Sequence, residues 1–382
     1  MEILLLILGL GLFVGLVIVH EFGHFIVARR NGVQVEEFGL GLPPRLMIIK
    51  TDKQGTKFTL NALPLGGFVK LKGEHDGDKG KQEFGSASFW SKTKIILAGV
   101  LMNLITAWVM FTILAFIGIP KLPLPGGTEQ FTISSDTRVV SNKVLVGYVE
   151  PNGPADKAGI KPGDRIEYIT DCQNCLDIFT DREIISDAQD LHVTAQANAG
   201  TTQYIYTNRG VSQVELRTAE EVEASTKTDN PKGYMGVIPY DYTVQRSTWS
   251  APIVGVGLIG QFSKLTYSAL GSTITSLFKG HGSEASQNVS GPVGIFVVLR
   301  DGASLGVNYI LLIVALLSLT LAIMNTLPIP ALDGGKLTVM AIFRIFKREL
   351  KPKTEEFIHG TGYIALLLLF VLITVVDVRR FF

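Results

Sequence analysis

The residues best suited to chemistry form the motif HEFGH at positions 20–24, within the apolar stretch LVIVHEFGHFIVARR. On a helix, His20 and His24 lie one turn apart on the same face and can bind one Zn²⁺ ion. Glu21 would lie beside the open coordination position, where a carboxylate can act as a general base. The alternative is a core in which hydrogen bonds satisfy these side chains. Their apolar surroundings favour function, because an ionisable group in a membrane span costs about 3 kcal/mol.

Two histidines do not complete a zinc site, which needs a third protein ligand and one position for water. The candidate is Asp333, in the stretch LAIMNTLPIPALDGGKL. Pro328 and Pro330 end a regular helix there, and Gly334 and Gly335 permit a tight turn. Irregular backbone at membrane depth is tolerated only inside the protein or along a wet cavity. The sequence therefore predicts a polar cavity that contains Asp333.

Long apolar segments must position these residues. Four blocks, at residues 3–19, 95–119, 310–324 and 363–376, are nearly free of charge. With their flanks, each approaches the roughly 20 residues that cross a bilayer. The first block lacks the basic start and the cleavage site of a signal peptide, which favours an uncleaved span. The fold class is thus an α-helical membrane protein with four transmembrane helices.

The distribution of Lys and Arg predicts the orientation of these spans. Residues 29–94 contain twelve of them and residues 335–356 contain six. Short basic loops stay cytoplasmic, so both termini and the long segment 120–305 should face outward. The first and third spans then both run inward and bring HEFGH and Asp333 to one depth. A net charge of +1 and the absence of a basic, aromatic stripe give no indication of nucleic-acid binding.

Residues 251–278 raise the question of a fifth span. Their apolar positions, among them Val254, Leu258 and Phe262, recur at steps of three and four, with polar residues between them. This pattern predicts a helix with one apolar face at the membrane surface or against the protein. A fifth crossing would also bring Asp333 to the opposite side of the membrane from HEFGH.

The stretch GTKFTLNALPLGGFVKLKG, residues 55–73, alternates apolar and polar residues and breaks at Pro64 and Gly66-Gly67. It predicts a hairpin or sheet fragment whose strands flank a turn at that break. The hairpin is either a plain cytoplasmic element or an exposed edge that pairs with an extended substrate. The residues of this candidate edge are Phe58, Leu60, Leu65, Gly66, Gly67 and Phe68.

The outer segment contains GPADKAGIKPGDRI, residues 153–166, between two strand-like stretches. Further strand-like stretches lie at residues 192–196 and 203–207. The motif resembles the signature of PDZ domains, which bind peptide termini or strands by β-addition. Cys172 and Cys175 lack the further ligands of a zinc site. A disulfide is possible in an oxidising exterior, but two unpaired loop cysteines are the preferred interpretation.

Together these motifs resemble the site-2 proteases, intramembrane zinc metalloproteases, and within them the bacterial regulator-of-sigma-E type with a PDZ insert. The resemblance rests on HEFGH at 20–24, GVLMN at 99–103, LPLGGFVKLKGE at 63–74, SGPVGI at 290–295 and NTLPIPALDG at 325–334. It implies that the β-stretch is membrane-associated and that Asn103 and Asn325 contact the unwound substrate or the oxyanion. For both residues, ordinary hydrogen bonding between helices is the alternative. Residues 120–240 have room for only one PDZ domain, whereas the best-known member has two.

The predicted organisation therefore has four parts. Residues 1–119 form the first half of the membrane core, with spans at about 3–28 and 94–119 and a β-loop at about 45–73. Residues 120–240 form the PDZ domain, and 241–303 an amphipathic helical region. Residues 304–382 form the second half of the core, with spans at about 306–327 and 357–378.

The predicted function is hydrolysis of peptide bonds within transmembrane segments, with one Zn²⁺ per chain. The resemblance implies substrates such as anti-sigma factors or signal-peptide remnants after a first cleavage, peptide termini at the PDZ domain, and a bacterial inner membrane with the active site towards the cytoplasm. Two alternatives are a PDZ-bearing membrane scaffold and a metal transporter, each with a non-catalytic HExxH. Both predict that Glu21→Gln leaves function intact.

Overall fold

The computed structural model describes residues 2–122, 124–125, 128–172, 183–226, 231–279 and 291–381. They form two compact units. The first unit contains the chain up to Leu114 and from Ala251 onward, and the second contains Ala115–Ser250. The described helices are α1 (Glu2–Arg30), α2 (Phe89–Ile117), α3 (Pro154–Lys157), α4 (Ala188–Ala197), α5 (Ala219–Ser225), α6 (Ala251–Phe278), α7 (Pro292–Ser304), α8 (Val307–Met324), α9 (Asp333–Ile345) and α10 (Pro352–Phe381). The described strands are β1 (Val35–Thr51), β2 (Lys57–Leu71), β3 (Ile119–Pro120), β4 (Arg138–Val149), β5 (Arg165–Thr170), β6 (Glu183–Ile184), β7 (Thr202–Thr207), β8 (Gly210–Glu215) and β9 (Val237–Arg246).

Among the described residues, four helices are long and apolar enough to cross a membrane: α1, α2, α8 and α10. The sequence predicted the same four. Two of them begin earlier than expected, since α2 starts at Phe89 and α10 at Pro352. The Ser88 hydroxyl accepts a hydrogen bond from the Ser91 amide, which caps α2, and proline is favoured in the first turn of a helix such as α10.

The strands β1 and β2 are long and bent, and each contributes two segments to one small sheet. Residues 45–51 pair with 57–61 as a hairpin, and 57–60 also lie beside 37–40. Segment 37–40 pairs in turn with 67–71, so 45–51 and 67–71 lie at the two edges. The connecting turn is at residues 52–56, where the Asp52 carboxylate accepts from the Gln54 and Thr56 amides. The predicted hairpin turn at Pro64 and Gly66-Gly67 is therefore wrong, because those residues lie inside β2.

The helix α6 packs through one face against the apolar helices of the first unit. Val254, Leu258 and Phe262 are buried, as their spacing predicted, whereas Ile274 is exposed. Phe262 stacks on Phe111 of α2, with ring centroids 5.7 Å apart. The buried face thus serves protein packing, and α6 is not among the four helices suited to crossing.

The second unit is built on a sheet with the strand order β3-β9-β4-β5-β7-β8, and β6 pairs with β5. Its core contains Val144, Ile166, Ile205 and Val214. The stretch 192–196, predicted as strand-like, lies in α4 instead. Its buried residues, Leu191, Thr194 and Ala195, follow helical spacing, and Asp187 caps the helix by accepting from the Asp190 amide.

The two chain segments at the ends of the second unit are bound to each other. The Ser247 amide donates to the Ala115 carbonyl, and β3 pairs with the end of β9. The Asp136 carboxylate accepts hydrogen bonds from the amides and hydroxyls of Thr248 and Ser250. These donors hold the pKa of the Asp136 carboxyl well below its usual range.

Cys172 is disulfide-bonded. The one other cysteine in the sequence, Cys175, lies outside the described residues. The interpretation of two unpaired loop cysteines is therefore wrong. Two cysteines separated by two residues, as in the CQNC stretch, are close enough in sequence for a disulfide.

Candidate metal centre

The two histidines of HEFGH are placed on one face of α1, as their spacing requires. His20 Nε2 lies 3.2 Å from His24 Nε2, and the two rings meet edge to face with centroids 4.8 Å apart. His20 is buried and His24 half-buried. Both Nε2 atoms point to one spot beside the helix.

Asp333, from the start of α9, completes this cluster. Its Oδ2 atom lies 3.2 Å from His20 Nε2 and 3.3 Å from His24 Nε2. Two ligands about 2.05 Å from a tetrahedral zinc ion are separated by about 3.3 Å, so the observed triangle has the size that zinc requires. Oδ2 is buried and has no hydrogen-bond partner among the described residues. Two nitrogens and one carboxylate oxygen that converge without an intervening donor fit a zinc ion.

The outer nitrogens of both imidazoles have partners on α2. His24 Nδ1 donates to the Ile95 carbonyl at 2.8 Å, and in the neutral ring this tautomer makes Nε2 available to a metal. His20 Nδ1 lies 3.2 Å from Asn103 Nδ2. Gly99 lies between these two partners and directly against the rings, since a Cβ there would be 2.4 Å from His24 Nε2. The helix α2 thus packs directly against both imidazole rings.

The loop between α8 and α9 carries Asp333 into position. The Gly334 amide donates to the Asn325 carbonyl at 2.7 Å, so the loop closes on itself. A Cβ at Gly335 would lie 2.0 Å from the Ile329 carbonyl oxygen, a contact that only glycine permits. The structure therefore brings the Asn325 backbone next to the Asp333 turn, and the Asn325 side chain is half-buried.

The helix α10 supports this loop from the other side. His359 Nδ1 accepts a hydrogen bond from the Ala331 amide at 3.1 Å. A Cβ at Gly362 would lie 2.5 Å from Pro330 Cβ and 2.7 Å from its carbonyl oxygen. Sequence reasoning missed His359 and Gly362, although a lone histidine at the start of an apolar span was an available signal.

Glu21 lies between the histidines and the sheet. Its carboxylate is close to both imidazoles, to Asp333 and to the Val69 backbone amide. Among the described residues, neither Glu21 nor Asp333 forms an ion pair with Lys or Arg. Two carboxylates without a cationic partner favour a bound divalent cation.

The edge segment 67–71 of the small sheet runs past Glu21. A Cβ at Gly67 would lie 3.5 Å from Glu21 Cγ, and one at Gly66 would lie 3.9 Å from Val17 Cγ1. Gly67 and Phe68 thus lie at an edge next to the cluster, and Leu65 and Gly66 lie in β2 just before it.

Phe58 and Leu60 lie elsewhere in the sheet. They belong to an inner segment with partners on both sides, Phe38 and Lys50 for the first, Leu40 and Met47 for the second. The predicted edge position is therefore wrong for these two residues. The alternation of their side chains is the same at an edge and in the interior of a sheet, so it could not distinguish the two.

Comparison with known proteins agrees with this chemistry. The profile of Peptidase family M50 matches residues 8–369. A protein of Clostridium perfringens named as a zinc metalloprotease is 30% identical over 376 residues, 98% of each chain. The regulator of sigma-E protease RseP of Escherichia coli is 29% identical over 443 residues, 93% of this chain and 94% of the relative. This chain belongs to peptidase family M50 and is a membrane zinc metalloprotease.

Proposed function

We propose that this enzyme hydrolyses peptide bonds within transmembrane segments of membrane proteins, with one Zn²⁺ held by His20, His24 and Asp333. The observation that carries the proposal is the triangle of donor atoms, 3.2 to 3.3 Å on each side, built from apolar helices. A soluble substrate would have to leave water to reach a site between such helices. A substrate that itself spans the membrane reaches it by lateral diffusion.

Zinc supplies, when bound, a Lewis acid that polarises the scissile carbonyl and makes water a stronger acid. Glu21 is the proposed general base, because its carboxylate lies beside the cluster and is not one of the three converging atoms. It takes the proton from the attacking water and passes it to the nitrogen of the leaving amine. His20 and His24 would bind the metal as neutral imidazoles, each through an unprotonated Nε2.

The sheet edge at 67–71 is the proposed docking site for the unwound substrate. A helix must open before cleavage, because its backbone hydrogen bonds enclose the peptide bond. An extended segment that pairs with this edge replaces those bonds by strand addition. Gly67 and Val69 lie against Glu21, so a paired strand would run directly past the general base.

The second unit is proposed to be a single PDZ domain on the outer side of the membrane. Its GPADKAGIKPGDRI stretch forms the short helix α3 and leads into β5. The helix α4 lies beside β9, where the Ala188 amide donates to Asp241 Oδ1 at 2.8 Å. A groove between such a helix and strand suits a peptide terminus, and the same domain would exclude substrates with a large outer part.

Two observations support the orientation. The disulfide at Cys172 is typical of an oxidising, extracytoplasmic compartment. Arg29 and Arg30 end α1 just beyond the histidines, as expected at a cytoplasmic border. The proposed active site is thus towards the cytoplasm in a multi-pass inner-membrane protein. The Escherichia coli relative is named as a regulator of sigma-E. Membrane-bound regulators such as anti-sigma factors, or signal-peptide remnants, are the proposed substrates.

The test uses purified full-length protein in detergent and a transmembrane-helix substrate already truncated on its outer side. Glu21→Gln should lower the cleavage rate by about 10²- to 10⁴-fold and leave bound zinc unchanged, because Glu21 supplies no ligand atom. Glu356→Gln, at an exposed position of α10, is the matched control and should cleave normally. A chelator should abolish cleavage and added zinc should restore it. Wild-type cleavage by Glu21→Gln would favour a scaffold or transporter instead.

A further inference from the structure

The two histidines differ in how their outer nitrogens are held. His24 Nδ1 donates to a backbone carbonyl, that of Ile95, at 2.8 Å. No side-chain substitution removes that acceptor. His20 Nδ1 meets a side chain, Asn103, at 3.2 Å. The orientation of His20 therefore depends on one replaceable residue.

Asn103 is held firmly in place. It is 1% exposed, and its backbone carbonyl accepts a hydrogen bond from the buried Ser318 hydroxyl of α8 at 2.8 Å. Its side-chain Oδ1 is buried and has no hydrogen-bond partner among the described residues, whereas Nδ2 faces the imidazole of His20. The two amide atoms are assigned from hydrogen bonding and are exchangeable.

The chemistry of metal binding decides which amide atom faces His20. When Nε2 binds a metal, Nδ1 carries the proton and must donate. An amide nitrogen cannot accept that proton, but the amide oxygen can. Reversing the Asn103 amide pairs Oδ1 with His20 Nδ1 and turns Nδ2 to the side where Oδ1 has no partner among the described residues, so the donor of the imidazole then meets an acceptor.

We propose that Asn103 is a positioning residue for His20: its Oδ1 accepts the Nδ1 proton and thereby fixes the tautomer and ring orientation that offer Nε2 to zinc. This inference rests on the proposed function, because it takes His20 as a ligand. It assigns Asn103 a place behind the ligand and away from the substrate. Nδ1 and Nε2 point away from the ring in different directions, and Asn103 lies at Nδ1.

The test measures zinc affinity of full-length protein in detergent, by competition with a chromophoric chelator. Asn103→Leu keeps the volume and removes the acceptor, and it should weaken zinc binding by about 10- to 100-fold. Asn103→Asp keeps an acceptor and should bind zinc at least as tightly as the wild type. Thr106→Val is the matched control, since it removes a side-chain hydrogen bond to the Met102 carbonyl on the same helix without touching His20, and its affinity should not change. Melting of the zinc-free proteins shows whether each variant folds.

Cleavage kinetics distinguish this role from substrate contact. With excess zinc, a positioning defect is relieved and Asn103→Leu should approach the wild-type kcat with an unchanged KM. A substrate contact would instead raise KM at every zinc concentration and leave zinc affinity intact. The proposal is overturned if Asn103→Leu binds zinc like the wild type, or if Asn103→Asp folds yet loses as much affinity as Asn103→Leu. Unchanged zinc binding by Asp333→Ala would refute the ligand set itself, a separate outcome.

Discussion

Gly99→Ala adds a single methyl group where α2 lies against the proposed ligand nitrogens of the histidine pair. The new Cβ would lie 2.4 Å from His24 Nε2, 2.6 Å from His20 Cε1 and 2.8 Å from His20 Nε2. Ordinary contacts between such atoms are about 3.5 Å, so the rings or α2 must move by about 1 Å. The affected atoms include both ligand nitrogens, and the Gly99 backbone is fixed within a helix.

Such a displacement is large on the scale of metal binding. Ligand distances are reproduced to within about 0.2 Å in working sites, and a misplacement of about 1 Å costs about 100-fold in rate. Alanine also favours a helix over glycine by about 1 kcal/mol, so α2 itself should not be weakened. We expect Gly99→Ala to fold, to lose most of its zinc and to cleave at least about 100-fold more slowly.

The assay pairs metal analysis of the purified protein with cleavage of the truncated transmembrane substrate. Gly15→Ala is the matched control: it makes the same change in a membrane helix, at a position where a Cβ meets nothing within 4 Å. It should bind one zinc per chain and cleave normally. If Gly99→Ala also did both, the rings would not be held against α2 as described, and the reasoning would fail.

Two further substitutions probe other parts of the molecule. Gly362→Ala drives a methyl group to within 2.5 Å of Pro330 Cβ and should shift the loop that carries Asp333, which lowers zinc affinity; Gly360→Ala, with nothing within 4 Å, should not. Asp136→Asn should lower the melting temperature at pH 7. Because hydrogen bonds from Ser250 and Thr248 depress the pKa of Asp136 in the folded state, their stabilisation is present above about pH 4 and is lost as the pH falls towards the folded pKa. The difference in melting temperature between variant and wild type, followed from pH 7 to 3, should therefore begin to narrow below about pH 4, and a constant difference would contradict this.

The convergence of His20, His24 and Asp333 could be anticipated because ionisable residues in apolar segments are rare and costly. Once four spans were fixed, their order and direction brought the two motifs to one depth. Gly99 could not be recognised in the same way. A glycine has no side-chain chemistry to read, and its importance arises only from which atoms lie opposite it on another helix.

The errors in the sheet and in α4 share a cause. Both Gly66-Gly67 and the stretch at 52–56 carry turn-forming residues, and local pattern alone does not say which break reverses the chain. Asp52 decides it through two hydrogen bonds to amides within the turn. For residues 192–196, a short run fits both strand and helix periods, and the Asp187 cap, three residues before Asp190, was the distinguishing signal.

The long separation in sequence between Asp333 and the two histidines also affects how the enzyme is made. Asp333 follows His24 by 309 positions in the sequence. At about 5 to 20 residues per second, the ribosome needs about 15 to 60 seconds to supply it after the histidines have entered the membrane. During that interval the proposed metal site lacks its carboxylate ligand, so the nascent protease should remain inert towards the membrane proteins inserted beside it.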